Sequence, residues 1–377
     1  MAPPKQSRHP VVSYQPIRTI YRLIKLTTAL AKAPFWIIRA LIPALRQHPK
    51  WTYKQSLTVS IARAMISVRS TIAITETQSL EPKTQGDRWA RLQPFDDELY
   101  VGPLLSEKVR PGEAGGTWYP ALPADPKSLK KVIMHIHGGA FVEYTGRDDD
   151  SGYLCNRLLS AGGFDAVFAP QYRLAGHAGR DPFPAALQDV LTCYLYLVRT
   201  LGVSPGNLTV SGDSAGGNLA AALLRYLERF GEGLGVPLPG RVVLVSPWVQ
   251  PAEAVGVDYT RWREHGTDFL PVGFLTWGLE AYGLQSDRYG DCGEYVNSLG
   301  HPFRTSVPVL VTVGSVEILC PQDVRWVDEM RGVEGNRIEL DFQEAAPHDV
   351  LFVGDKMGWD ETVVDVMGKI GKFVDGQ

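Results

Sequence analysis

The sequence predicts an α/β fold, a mostly parallel central sheet covered by helices on both faces. Three observations carry this expectation. From about Lys130 onward, short β-branched runs alternate with longer runs of helical periodicity, the pattern of strands joined by crossover helices. The chain has 377 residues, of which 44% are hydrophobic and 10% aromatic, enough to bury a large core. No internal repeat or low-complexity tract interrupts the alternation.

The amino-terminal part is a different material. Twelve of the 38 basic residues precede Glu76, the first acidic residue, so the remaining 26 face all 41 acids and the net charge of −3 conceals a division. Arg18, Arg22, Lys25, Lys32, Arg39 and Arg46 recur at helical steps and line one stripe, leaving Ile17, Ile20, Ile24, Ala31, Phe35, Trp36, Ile38 and Leu41 for the other faces. Pro34 and Pro43 are expected to kink or divide this helix. Its uncharged runs reach only six residues, far short of the ~18 a membrane span needs. Charge interrupts the apolar stretches and no small-residue cleavage site follows them, so no cleavable signal peptide is expected. We read residues 1–120 as a basic helical cap and lead-in that contacts a membrane surface, walls the site, or does both, and 121–377 as the main domain.

Within that domain, residues 131–137, 165–170, 208–211, 241–246, 307–314 and 337–342 read as strands, and residues 184–202 and 361–374 as amphipathic helices. The long stretch over about 250–302, rich in Trp, Tyr and Gly, breaks the rhythm and reads as a lid insertion. The four cysteines are widely separated with no CxxC pair, which argues for thiols in a reducing compartment; the expected location is intracellular, cytoplasmic or peripherally bound to a membrane such as the endoplasmic reticulum.

Two motifs carry chemistry. Gly212-Asp213-Ser214-Ala215-Gly216 fits G-x-S-x-G between a strand and a helix, where a strained turn exposes the serine hydroxyl. Upstream, "HIHGGAF" (residues 135–141) follows a strand. Its Gly138 and Gly139 N–H groups, with that of Ala215, can converge as an oxyanion hole. The competing reading of His135 and His137 as metal ligands lacks a third ligand nearby in sequence, so no metal is expected, and the absence of a P-loop or dinucleotide fingerprint leaves no cofactor expected either.

These motifs resemble the hormone-sensitive-lipase-like branch of the α/β-hydrolase superfamily, over roughly residues 122–374. The segments "PQYRLA" (170–175) and "PFPAALQDV" (182–190) extend the resemblance, and the family pattern implies a structural pair between Arg173 and Asp189. More loosely, "YQPIRTIYRL" and "RQHPKWTYKQSLTV" look like fungal members such as steryl acetyl hydrolases and secondary-metabolite pathway hydrolases. The resemblance implies an α/β-hydrolase fold and a triad in the chain order serine, acid, histidine. Glu317 in "VGSVEIL" and His348 in "APHDVLF" then join Ser214, with Asp323 and Asp349 as the nearby competitors for the acid. The implied function is a carboxylic ester hydrolase acting through an acyl-enzyme on a bulky hydrophobic ester, such as an acetylated sterol or terpenoid, with no nucleic-acid partner. Amide or lactone hydrolysis, and a cyclisation or elimination step, would use the same triad. A non-catalytic ligand-binding protein is the alternative from another class, since plant gibberellin receptors resemble the family but lack the histidine that His348 supplies.

Overall fold

A computed structural model of the chain describes residues 9–253, 263–283 and 290–377. The first helix, α1 (Ile17–Leu41), runs through Pro34 and stops before Pro43, where Ile42 takes the extended backbone that a following proline favours. Pro34 removes one internal hydrogen bond without ending the helix, so only Pro43 acts as the expected divider. After a short turn comes α2 (Tyr53–Ile72), whose start is fixed by reciprocal bonds: Thr52 Oγ1 accepts from Gln55 N and Gln55 Oε1 accepts from Thr52 N.

Eight strands follow: β1 (Trp89–Leu92), β2 (Ala114–Tyr119), β3 (Val132–Ile136), β4 (Ala166–Gln171), β5 (Leu208–Asp213), β6 (Arg241–Val245), β7 (Val309–Gly314) and β8 (Ile338–Gln343). They form one sheet in the order β1-β2-β4-β3-β5-β6-β7-β8, antiparallel at the β1/β2 and β2/β4 pairings and parallel elsewhere. All six strands expected from the sequence are present. The boundary expected at residue 120 is not a boundary of the sheet, because β1 and β2 precede it and pair into the same sheet. Gly115 and Gly116 make β2 read as a loop, yet the sheet requires them: a Cβ at Gly115 would lie 2.3 Å from the Trp89 ring, and one at Gly116 2.2 Å from the Phe168 ring.

Strand alternation divides the core between the two faces of the sheet. Val132, Met134 and Ile136 pack into the cluster that holds α4 (Ala185–Leu195) and α5 (Ala215–Tyr226). Ile133, Val243 and Val245 face the other cluster, with α3 (Asp148–Ser160) and the last helix, whose Val363, Met367, Ile370 and Phe373 are buried as their spacing predicts. Between β6 and β7 runs α6 (Val272–Tyr282), inside the stretch read as a lid; residues 254–262 and 284–289 of that stretch lie outside the described residues. Three helices complete the order: α7 (Cys320–Arg331), α8 (Val350–Met357) and α9 (Asp360–Asp375).

The second helix, α2, spans the end of the sheet where the strand carboxyl termini lie. Trp51, just ahead of it, donates from Nε1 to Ala345 O at 2.6 Å and meets Trp359 edge-on at 5.5 Å. Gln55 Nε2 donates to Gly358 O at 2.8 Å. Farther along, Arg63 donates to Asp268 O at 3.2 Å, and Arg69 pairs with the buried Glu143 at 3.0 Å. One helix thus touches the segments before and after His348, the lid stretch, and the loop after β3.

Candidate active site

Ser214 stands between the last residue of β5 and the first of α5 with φ 51° and ψ −116°, a conformation that costs of order 1–3 kcal/mol and persists only when its surroundings enforce it. They do: Ser214 N donates to Val245 O, and Ser214 O accepts from Trp248 N, each at 2.9 Å. The flanking glycines are steric necessities. A Cβ at Gly212 would lie 2.2 Å from Gly216 O, and one at Gly216 2.0 Å from Ile136 O, both against backbone. Gly216→Ala is therefore expected to destabilise the protein by about 1–3 kcal/mol or more, read as a lowered midpoint in urea unfolding with an unchanged slope.

Asp213 links this turn to the loop after β3. Its Oδ1 lies 3.1 Å from His135 Nε2 and its Oδ2 accepts from Gly138 N at 2.9 Å. Burial works against its charge, but the bond and charge of His135 outweigh burial and hold the carboxyl below its usual range. The bond to Gly138 corrects one expectation: the Gly138 N–H is occupied by Asp213 and is not free to meet an oxyanion. Beyond it, Gly139, Ala140 and Phe141 all have positive φ, of 94°, 51° and 64°. Ala140 directly follows the Gly-Gly pair and was not singled out in the sequence reading. The loop is pressed into place by α6, whose Gly278 would carry a Cβ only 2.4 Å from Ala140 O.

Glu317 follows β7 and His348 follows β8, and the fold brings the two together. His348 Nδ1 lies 3.8 Å from Glu317 Oε1, an ion-pair separation somewhat longer than a hydrogen bond, and both side chains are buried. Glu317 Oε2 accepts from Ser246 Oγ at 2.7 Å and from Gly314 N at 3.2 Å. Ser246 Oγ also accepts from Asp349 N at 3.2 Å, so one hydroxyl at the end of β6 joins the two loops. Burial alone would lower the His348 pKa; the adjacent Glu317 carboxylate, helped by Asp268 and Asp213, raises it above the usual value.

The competitors for the acid are placed elsewhere. Asp349 faces Asp213 and Asp323 faces Glu317, and in each pair burial, followed by the partner's charge, pushes the aspartate far above the usual carboxylate range. Asp268, from the irregular lid stretch, was not anticipated. Its Oδ2 accepts from Ile318 N at 2.7 Å and its Oδ1 from Leu270 N at 3.1 Å, while burial pushes its carboxyl up to about 6. No periodicity or motif surrounds it in the sequence.

Arg173 and Asp189 form the expected structural pair, with Arg173 Nε at 2.9 Å and Nη2 at 2.8 Å from the two carboxylate oxygens. Of the H-x-H pair, His135 is engaged with Asp213 and Ser211, and His137 stacks on Tyr172 at 4.2 Å. Among the described residues, no group of three or more His, Cys, Asp or Glu is arranged to hold a metal ion. A cleft of about 890 Å³ lies between α1 and α2, reaching down to His265, Gly266 and Asp268.

A strained serine at a strand-to-helix turn, and a buried histidine–carboxylate pair on loops after the next strands of a mostly parallel sheet, are the features by which serine hydrolases built on α/β sheets are recognised. The chain belongs to the family described as having the alpha/beta hydrolase fold, whose sequence profile matches residues 133–352, more than half of the chain. It is 31% identical over 227 residues to an acetyl-hydrolase of Streptomyces hygroscopicus, a match covering 60% of this chain and 66% of that protein. With an esterase of Acinetobacter venetianus it shares 27% identity, over 73% of this chain and 82% of the other. It is also 35% identical to mouse hormone-sensitive lipase, over 39% of this chain and 17% of that one. Among solved structures, an esterase of the bacterial hormone-sensitive lipase family aligns with a TM-score of 0.58 at 21% identity, over 92% of this chain and 98% of the other. An esterase from the archaeon Pyrobaculum calidifontis aligns with a TM-score of 0.60 at 18% identity, over 85% and 92%. At such identities the structures attest the fold. The looser resemblance to fungal members is not carried by these matches.

Proposed function

We propose that this protein is a carboxylic ester hydrolase with Ser214 as nucleophile, His348 as general base and acid, and Glu317 as the orienting carboxylate. The observation that carries the reading is the coupling of the His348 and Glu317 loops through Ser246, one residue beyond the strand whose Val245 carbonyl anchors the strained Ser214. His348 takes the proton from Ser214 Oγ as that oxygen attacks the ester carbonyl, then returns it to the leaving alcohol. Glu317 holds the imidazole tautomer and stabilises the imidazolium. The N–H groups of Gly139, Ala140 and Ala215 receive the developing oxyanion, while Gly138, through Asp213, fixes the loop that aims them. Water repeats the cycle on the acyl-enzyme. No metal or cofactor enters the scheme.

The acyl part is proposed to be short, in keeping with the similarity to an acetyl-hydrolase, and the alcohol bulky and apolar, an acetylated sterol, terpenoid or other secondary metabolite being the type. Residues 1–120 are proposed to supply the cap over the site, with α2 as its floor. The test is turnover of p-nitrophenyl esters of increasing acyl length beside an acetylated sterol or terpenoid: acetate should be preferred, and loss of all esterase activity in folded protein would end the reading. Because only neutral His348 can act as base, kcat/KM is expected to fall as pH drops through a value above the ordinary imidazole pKa of 6.5. A profile whose acid limb lies below 6.5 contradicts this arrangement of charges.

A further inference from the structure

The orientation of α1 inverts what a helix on a soluble protein normally does. Successive residues at 100° steps place Arg18, Arg22, Lys25, Lys32 and Arg39 on one arc, and Tyr21, Arg22, Lys25, Lys32, Trp36 and Arg39 on that arc line the cleft toward α2. The helix packs inward through small and half-buried side chains, Ala40 being its single fully buried residue. The opposite arc carries Ile20, Leu23, Ile24, Leu30, Ile38 and Leu41, and these point to solvent with 53–65% of their surface exposed. Ile42 and Leu45 continue the exposed apolar surface beyond the helix end. A contiguous apolar face of this length on an isolated protein marks an interaction surface.

Charge decides what covers it. All twelve charged side chains before Glu76 are basic. A second copy docked symmetrically would set this patch against itself and bring like charges together. An anionic lipid surface instead accepts the apolar arc among its acyl chains and the basic arc at its headgroups. No helix among the described residues is long and apolar enough to cross a membrane, so the contact is with the surface.

We propose that α1 lies in the headgroup plane of an anionic bilayer, with its outer arc of Ile20, Leu23, Ile24, Leu30, Ile38 and Leu41 in lipid and the exposed Arg22, Lys25 and Lys32 reaching from the mouth of the cleft to the phosphates. This goes beyond the hydrolase reading and does not depend on it. The full chain is mixed with vesicles of phosphatidylcholine, with or without about 30 mol % phosphatidylserine, and floated at low and high salt. The wild type should float with the anionic vesicles at low salt, at least tenfold better than with neutral ones, and less well at high salt. L23E together with L30E, both exposed and outside the cleft, should cut binding at least tenfold with an unchanged melting temperature; L23A with L30A should give an intermediate loss should the charged pair perturb folding. Absence of wild-type flotation at low salt, or flotation that the substitutions leave unchanged, overturns the proposal. So does a dimer in vesicle-free buffer that the same substitutions dissociate, because a second copy would then be the occupant.

Discussion

Ser214→Ala is expected to lower kcat for a p-nitrophenyl ester by about 10⁶-fold, the scale of loss when a serine nucleophile is removed from an intact triad. The fold should survive, since alanine meets the same backbone conformation as serine and the anchors at Val245 O and Trp248 N are main-chain bonds. What remains should be about 10³–10⁴ above the uncatalysed rate, supplied by binding and the oxyanion donors alone. Two measurements check this: steady-state turnover, and labelling by a fluorophosphonate, which should mark wild type and not the variant. A purified, folded variant that keeps more than about a tenth of the wild-type rate would remove Ser214 from the role. Labelling also separates an enzyme from a ligand-binding protein on the same scaffold, because a receptor has no need of an activated hydroxyl.

How far the sequence reaches is clearest from residues that differ in kind. Strands β3 to β7 were legible because a parallel sheet buried on both faces forces β-branched runs, as in "KVIMHIH" and "VPVLVTVG". The antiparallel edge was not, since Gly115 and Gly116 are there for the Trp89 and Phe168 rings, a demand made by residues distant in the chain. The nucleophile turn could be read because its G-x-S-x-G spacing is local, although the demand on Gly216 comes from Ile136 on a distant strand. By contrast, the engagement of Gly138 by Asp213 depends on side-chain geometry across β3 and β5, and spacing alone offers three equivalent-looking donors. Asp268 was invisible for a third reason: its significance comes from burial beside Ile318 and His348, which an irregular segment does not encode locally. The basic stripe of α1 was evident, but which way it faces is decided by packing on α2.

Glu317→Gln is expected to lower kcat by about 10⁴-fold, less than the loss of Ser214, because in the proposed mechanism this carboxylate orients the base and does not itself react. Ser246 Oγ and Gly314 N both donate to Oε2, so a glutamine oxygen would be held there and its NH₂ turned toward His348 Nδ1. A donor facing Nδ1 favours the tautomer that cannot accept the serine proton. The substitution also removes the charge that outweighs burial at His348, so the acid limb of the residual activity should move to lower pH. Asp349→Asn should be much milder, below about tenfold, since the amide keeps the size and shape of the side chain beside Asp213 while the bond from Asp349 N to Ser246 is untouched. The pair of variants therefore decides the acid: if Asp349→Asn is as damaging as Ser214→Ala while Glu317→Gln turns over almost normally, the histidine is oriented from the Asp213 side and Glu317 only ties β6 to β7.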